Sequence, residues 1–122
     1  MRTVKKLIVV GDRVLISPED PNATTKSGLY LPPGVQEKEK IQGGYVAKVG
    51  PGYAIPNPNF EEELWSERKE QVKYLPLQAE EGDYAIFIRS QSLEIEFDGQ
   101  QYIIVPQSAI LVLVRNEIVG EG

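Results

Sequence analysis

The sequence predicts an all-β fold, a small β-barrel of short strands. Short runs rich in Val, Ile and Leu recur between turn residues, with almost no helical period. Gly and Pro number 11 and 9 in 122 residues, which suits a chain with many turns. Leu93 to Phe97 alternates strictly and meets Asp98-Gly99, the favoured two-residue hairpin turn. Closing such strands into a barrel also hides sheet edges. The length suits one domain, so residues 1–122 are expected to form a single barrel.

Composition excludes much chemistry. There is no Cys and no His, hence no Cys/His zinc site, no His-paired nucleophile, no His-ligated haem and no disulfide. No metal or cofactor is expected. With 13 basic against 18 acidic residues the net charge is −5, and no Lys/Arg cluster follows the first residues, which argues against nucleic acid. The basic start and apolar run of residues 1–10 mimic a signal peptide, but the run stops at Gly11-Asp12-Arg13 and suits a first strand better. The longest apolar run, Ala109 to Val114, falls far short of the roughly 20 residues a membrane span needs. A soluble cytoplasmic protein is the expectation, and the glycosylation sequon at Asn22-Ala23-Thr24 carries no weight.

In chain order, Leu7 to Ile16 is β-branched and closed by Ser17-Pro18, so it is expected as the first strand. Residues 18–40 carry four prolines, two glycines and the run Glu37-Lys38-Glu39-Lys40; so long a stretch is expected as a mobile loop, and such loops are usually functional or disordered. Gly43-Gly44 is expected to open a strand, Tyr45 to Val49, ended by Gly50-Pro51-Gly52. Residues 53–74 are expected as an inserted acidic flap. Within it a short helix from Phe60, capped by Asn59 with Glu62 three residues on, competes with an acidic hairpin or irregular structure. Tyr84 to Ile88 is a short apolar strand, Leu93–Phe97 and Gln100–Val105 a hairpin, and Ile110 to Val114 the last strand. In the hairpin, Leu93, Ile95, Phe97, Tyr102 and Ile104 share one face, expected to be core, while Glu94 and Glu96 point away.

Three candidates for function stand out. Gly50-Pro51-Gly52 follows a strand, yet it lacks the spacing of a phosphate loop and reads as a tight turn. Glu94 and Glu96, and Glu61 to Glu63, are the carboxylate pairs left for acid–base work, but neither place offers the desolvation that raises a carboxyl pKa, so no catalysis is expected. Leu29-Tyr30-Leu31 lies between polar, turn-forming residues on both sides. It is either a further core strand or a peptide-like recognition element on a flexible loop.

Several segments resemble one family in register. Gly11 to Val14, Thr25 to Pro32, Gly43 to Gly50, Leu75 to Leu77, Gly82 to Phe87 and Ser108 to Val114 are similar, in that order, to the GroES co-chaperonins. The likeness runs from about Leu7 to Val114, interrupted by the 53–74 insertion. It implies a GroES-like β-barrel that assembles as a ring, heptameric in that family, and caps a GroEL-type chaperonin ring to assist protein folding. It implies that Ser27, Gly28, Leu29, Tyr30, Leu31 and Pro32 form the chaperonin-binding loop. It implies that Ile110, Leu111, Val112, Leu113 and Val114 join neighbouring subunits, and that the insertion enlarges the family's roof hairpin. The alternative is a divergent barrel acting as a structural or protein-interaction module, with Phe60, Leu64 and Trp65 as its contact surface.

Overall fold

A computed structural model describes residues 2–19, 28–58 and 72–120. Eight strands are present among them: β1 (Arg13–Pro18), β2 (Ile41–Val49), β3 (Tyr53–Pro56), β4 (Val72–Leu75), β5 (Tyr84–Ile88), β6 (Leu93–Phe97), β7 (Gln100–Pro106) and β8 (Ile110–Val114), with one short helix, α1 (Pro33–Glu39). Six of the strands form one antiparallel sheet in the order β6-β7-β1-β2-β5-β8, and β3 and β4 form a separate hairpin. No described helix is long and apolar enough to cross a membrane. Ser27 and the expected helix with Phe60, Leu64 and Trp65 lie outside the described residues.

Val14 and Ile16 of β1, Val46 of β2, Ala85 and Phe87 of β5, and Ile103 and Val105 of β7 all enter one core cluster, closed by Ala79 and Ala109. Four consecutive strands, β7, β1, β2 and β5, share this cluster because the sheet rolls around it. Two register shifts help it roll, between Leu15 and Ile16 against β2 and between Ile86 and Phe87 against β8. Such bulges sharpen local twist.

The first strand begins later than expected. Gly11 adopts φ 64° and Asp12 completes the turn, so β1 starts at Arg13 and residues 2–10 carry no strand assignment. The second strand begins earlier, at Ile41, and Gly43-Gly44 lie inside it rather than opening it. The cause is close packing. A Cβ at Gly43 would sit 2.1 Å from the Tyr84 hydroxyl, and one at Gly44 2.5 Å from Ile16 Cγ2 and 2.7 Å from the Ser17 carbonyl. The stretch expected as a loop over residues 18–40 contains α1, with Pro33 at its first position, where a missing N–H costs nothing. In the flap, the stem of an acidic hairpin is present as β3 and β4.

The β6–β7 hairpin has the expected turn, with Asp98 and Gly99 both at positive φ, and the expected register, Leu93 opposite Ile104 and Ile95 opposite Tyr102. Its faces are inverted. Ile103 and Val105 are buried, whereas Leu93 is 63% exposed and Tyr102 and Ile104 are half-buried. Because β7 is apolar on both sides, alternation in β6 does not decide which side is inside. Pairing decides it: Ile103 and Val105 lie opposite Ile16 and Val14, which face the core. The other face forms a groove with Val4, Leu7, Leu15, Phe97 and Tyr102, where Lys48 Nζ donates to the Leu7 carbonyl at 3.0 Å.

Urea melts test this inversion. Ile103→Ala should cost about 2–4 kcal/mol, as a large-to-small change in a core does. Leu93→Ala should stay within about 0.5–1 kcal/mol. Equal losses would mean that the hairpin face is misassigned. Gly50→Ala should also lower the stability, by about 2–4 kcal/mol, since its Cβ would lie 2.2 Å from the Gly11 carbonyl oxygen.

Candidate functional site

Two surfaces are built by β5 and its neighbours: the return of the long loop, and the free edge of β8. The loop re-enters the described structure at Gly28, whose φ of 82° suits a residue without a side chain. Leu29 and Leu31 are half-buried and pack against a second apolar cluster made by Ile41, Tyr84 and Ile86, with Val114 beside them. Tyr30 faces away and is 75% exposed. Pro32 is exposed; its carbonyl accepts from the Val35 amide at 3.0 Å and starts α1. The helix leaves through Lys40, at φ 54°, whose carbonyl accepts from the Arg89 amide at 3.0 Å and ties the exit to the end of β5.

The entry of the loop meets the same residue. Tyr84 crosses β2 over the bare backbone of Gly43, stacks edge-on against Tyr45 with centroids 5.1 Å apart, and donates its hydroxyl proton to Glu19 Oε2 at 2.5 Å. Tyr84 therefore touches the stem by which the chain departs and belongs to the cluster against which the returning leucines pack. Sequence reasoning singled out the triplet and missed Ile41, Tyr84 and Glu19. The available signal was a Gly-Gly pair inside an apolar run, which marks close approach by something bulky.

The edges of the sheet differ in chemistry. The edge strand β6 carries exposed Glu94 and Glu96, and charge on an edge discourages pairing with another chain. The other edge, β8, is Ile-Leu-Val-Leu-Val without a charge. It pairs with β5 on one side and with no strand on the other among the described residues. Leu111, in the bulge, is 54% exposed and Val112 44%, while Ile110, Leu113 and Val114 are half-buried.

The end of β8 is fixed by ions. Arg115 Nε and Nη2 donate to the two carboxylate oxygens of buried Asp83 at 2.8 and 2.7 Å, Nε also meets Glu80 Oε2 at 2.8 Å, and Nη2 donates to the Gln78 carbonyl at 3.0 Å. The Glu80 amide donates to Asp83 Oδ2 at 2.9 Å. Hydrogen bonding from Arg115 outweighs burial and, with the Glu80 amide, holds the Asp83 carboxyl below the usual carboxylate range. Glu94 and Glu96, the carboxylates weighed for catalysis, line an open groove of about 580 Å³ with Pro18, Gln42 and Tyr102. Among the described residues no group of three or more metal-ligating side chains gathers.

A carboxyl with a depressed folded pKa stabilises above its unfolded value, and that stability is lost as pH falls through the folded value. Asp83→Asn should therefore be less stable than the parent at pH 7, and the gap should narrow between about pH 5 and pH 2. Urea midpoints across that range check this; a gap constant with pH would remove Asp83 as the titrating group.

Comparison with known proteins bears on the same residues. The family model described as "Chaperonin 10 Kd subunit" matches residues 6–114. A relative from Rhodothermus marinus named co-chaperonin GroES is 34% identical over 112 residues, which is 92% of this chain and 95% of that one. Proteins of the same name from Coprothermobacter proteolyticus and Mycobacterium bovis are 33% and 34% identical, over 88% and 86% of this chain and 94% and 90% of theirs.

Proposed function

This chain belongs to the chaperonin 10 kDa subunit family, and from that premise we propose how it acts as a co-chaperonin. It caps the open end of a GroEL-type chaperonin ring through the loop that carries Ser27, Gly28, Leu29, Tyr30, Leu31 and Pro32, and so assists protein folding. The observation that carries this is the apolar triplet on a loop rooted at one end of the barrel, with Tyr30 presented to solvent. The role is mechanical rather than catalytic, and its setting is the cytoplasm.

The physics suits a cap that must also leave. A loop that becomes ordered on docking loses conformational entropy, so each contact is weak. Burying one leucine is worth roughly 1.5–3 kcal/mol, which several tethered copies turn into firm attachment by raising the effective concentration. The copies come from self-association into a ring, heptameric by family. The barrel supplies an uncharged edge for this at Ile110 to Val114. The segment before β1, where Val4, Ile8 and Val10 are exposed, supplies an apolar strip to lie along that edge in the next subunit. The Glu-bearing edge β6 does not compete. A single barrel domain over residues 1–122, with the 53–74 insertion enlarging the roof that β3 and β4 begin, completes the subunit.

Leu29→Asp or Leu31→Asp should abolish capture by a chaperonin double ring with nucleotide, read by size exclusion or negative-stain microscopy. Retained capping would remove the loop assignment. Val112→Asp should leave the monomer folded and shift sedimentation from ring to monomer, because it places a charge on the edge; an unchanged ring would move the interface elsewhere.

A further inference from the structure

We infer that the face of β2 and β5 made by Ile41, Tyr84 and Ile86 is a second seat for Leu29 and Leu31, and that it competes with the chaperonin for them. This rests on the proposed function and concerns how the same loop is regulated. The residues expected to enter the partner are already half-buried in a cluster on their own barrel. Docking must therefore first lift them off.

The seat is built rather than incidental. Ile41 and Ile86 are 8% and 2% exposed. The ring of Tyr84 reaches the cluster only because Gly43 has no side chain, and a Cβ there would also lie 3.2 Å from Ile86 Cδ1. Tyr84 adds a latch at the other stem through its hydrogen bond to Glu19. The departing stem and the returning leucines thus meet the same small cluster. The middle residue is left out: Tyr30 stands exposed while its neighbours are stowed. Tyr30 is therefore the residue a partner meets first, and Ile41, Tyr84 and Ile86 are positioning residues that set how readily the leucines follow.

A loop whose competent state is only partly populated binds more weakly by that fraction. Loosening the seat should strengthen capture. Binding of a GroEL-type double ring with ADP is measured for the full chain and for Ile41→Ala and Tyr84→Phe, each first shown to melt cooperatively. Ile41→Ala should bind about tenfold more tightly, about 1.4 kcal/mol, and Tyr84→Phe, which loses the latch to Glu19, about threefold. Folded variants that bind equally or more weakly would overturn the competition, since the barrel would then be irrelevant to docking or would be preorganising the loop.

A second measurement stands even where a variant fails to fold. In the free parent protein, methyl protons of Leu29 and Leu31 should show nuclear Overhauser contacts to Ile41, Tyr84 or Ile86 that vanish when chaperonin and ADP are added. Their absence in the free protein overturns the proposal. If the parent protein itself is not captured, the co-chaperonin role falls instead, while the Overhauser contacts still report on the seat.

Discussion

Strand β5 is buried on both of its faces, and the rest of the subunit is arranged around that fact. Ala85 and Phe87 point into the barrel and are inaccessible to solvent, while Tyr84 and Ile86 point the other way and are nearly as enclosed. A strand covered on both sides must be apolar throughout, as Tyr84 to Phe87 is. One strand thereby joins the core to the returning loop. It is also the strand on which β8 is laid, and the residue before it, Asp83, holds Arg115 at the end of β8. A change in β5 would reach the core, the loop and the edge together.

The elements that were legible in the sequence are those set by local chemistry. Asp98-Gly99 specifies its own turn, Ile110 to Val114 cannot be anything but a strand, and both appear with the expected limits or register. The elements that were not legible depend on what lies across from them. Gly43-Gly44 reads as the opening of a strand rather than its interior until Tyr84 and Ile16 are seen to fill the space that side chains would take. The hairpin's apolar face reads as core until Ile103 and Val105 are found opposite Ile16 and Val14. The seven residues of α1 carry Pro33 and Gly34, both poor in a helix interior, and only their position in the first turn makes them acceptable.

The candidate site divides in the same way. Its proposed contact residues were visible as an apolar triplet among polar neighbours, because apolar residues in a polar stretch call for an explanation. Its supports were invisible. Ile41, Tyr84 and Glu19 are separated from the triplet by up to 55 residues of sequence, counting from Leu29 to Tyr84, and nothing local marks them as belonging to it. The resemblance to the family marked the triplet but not the supports, which appear only where the chain packs its second apolar cluster.

The uncharged edge of β8 has a consequence for company. Main-chain hydrogen bonds are nearly blind to sequence, so an edge that recruits its neighbour through them cannot by itself tell one barrel of this family from another. In the proposed ring, discrimination falls to the side chains that project from the ladder, and on β8 the most exposed of these are Leu111 and Val112. A cell that made this subunit beside a close relative would therefore sort pure rings from mixed ones by the shape of two aliphatic residues.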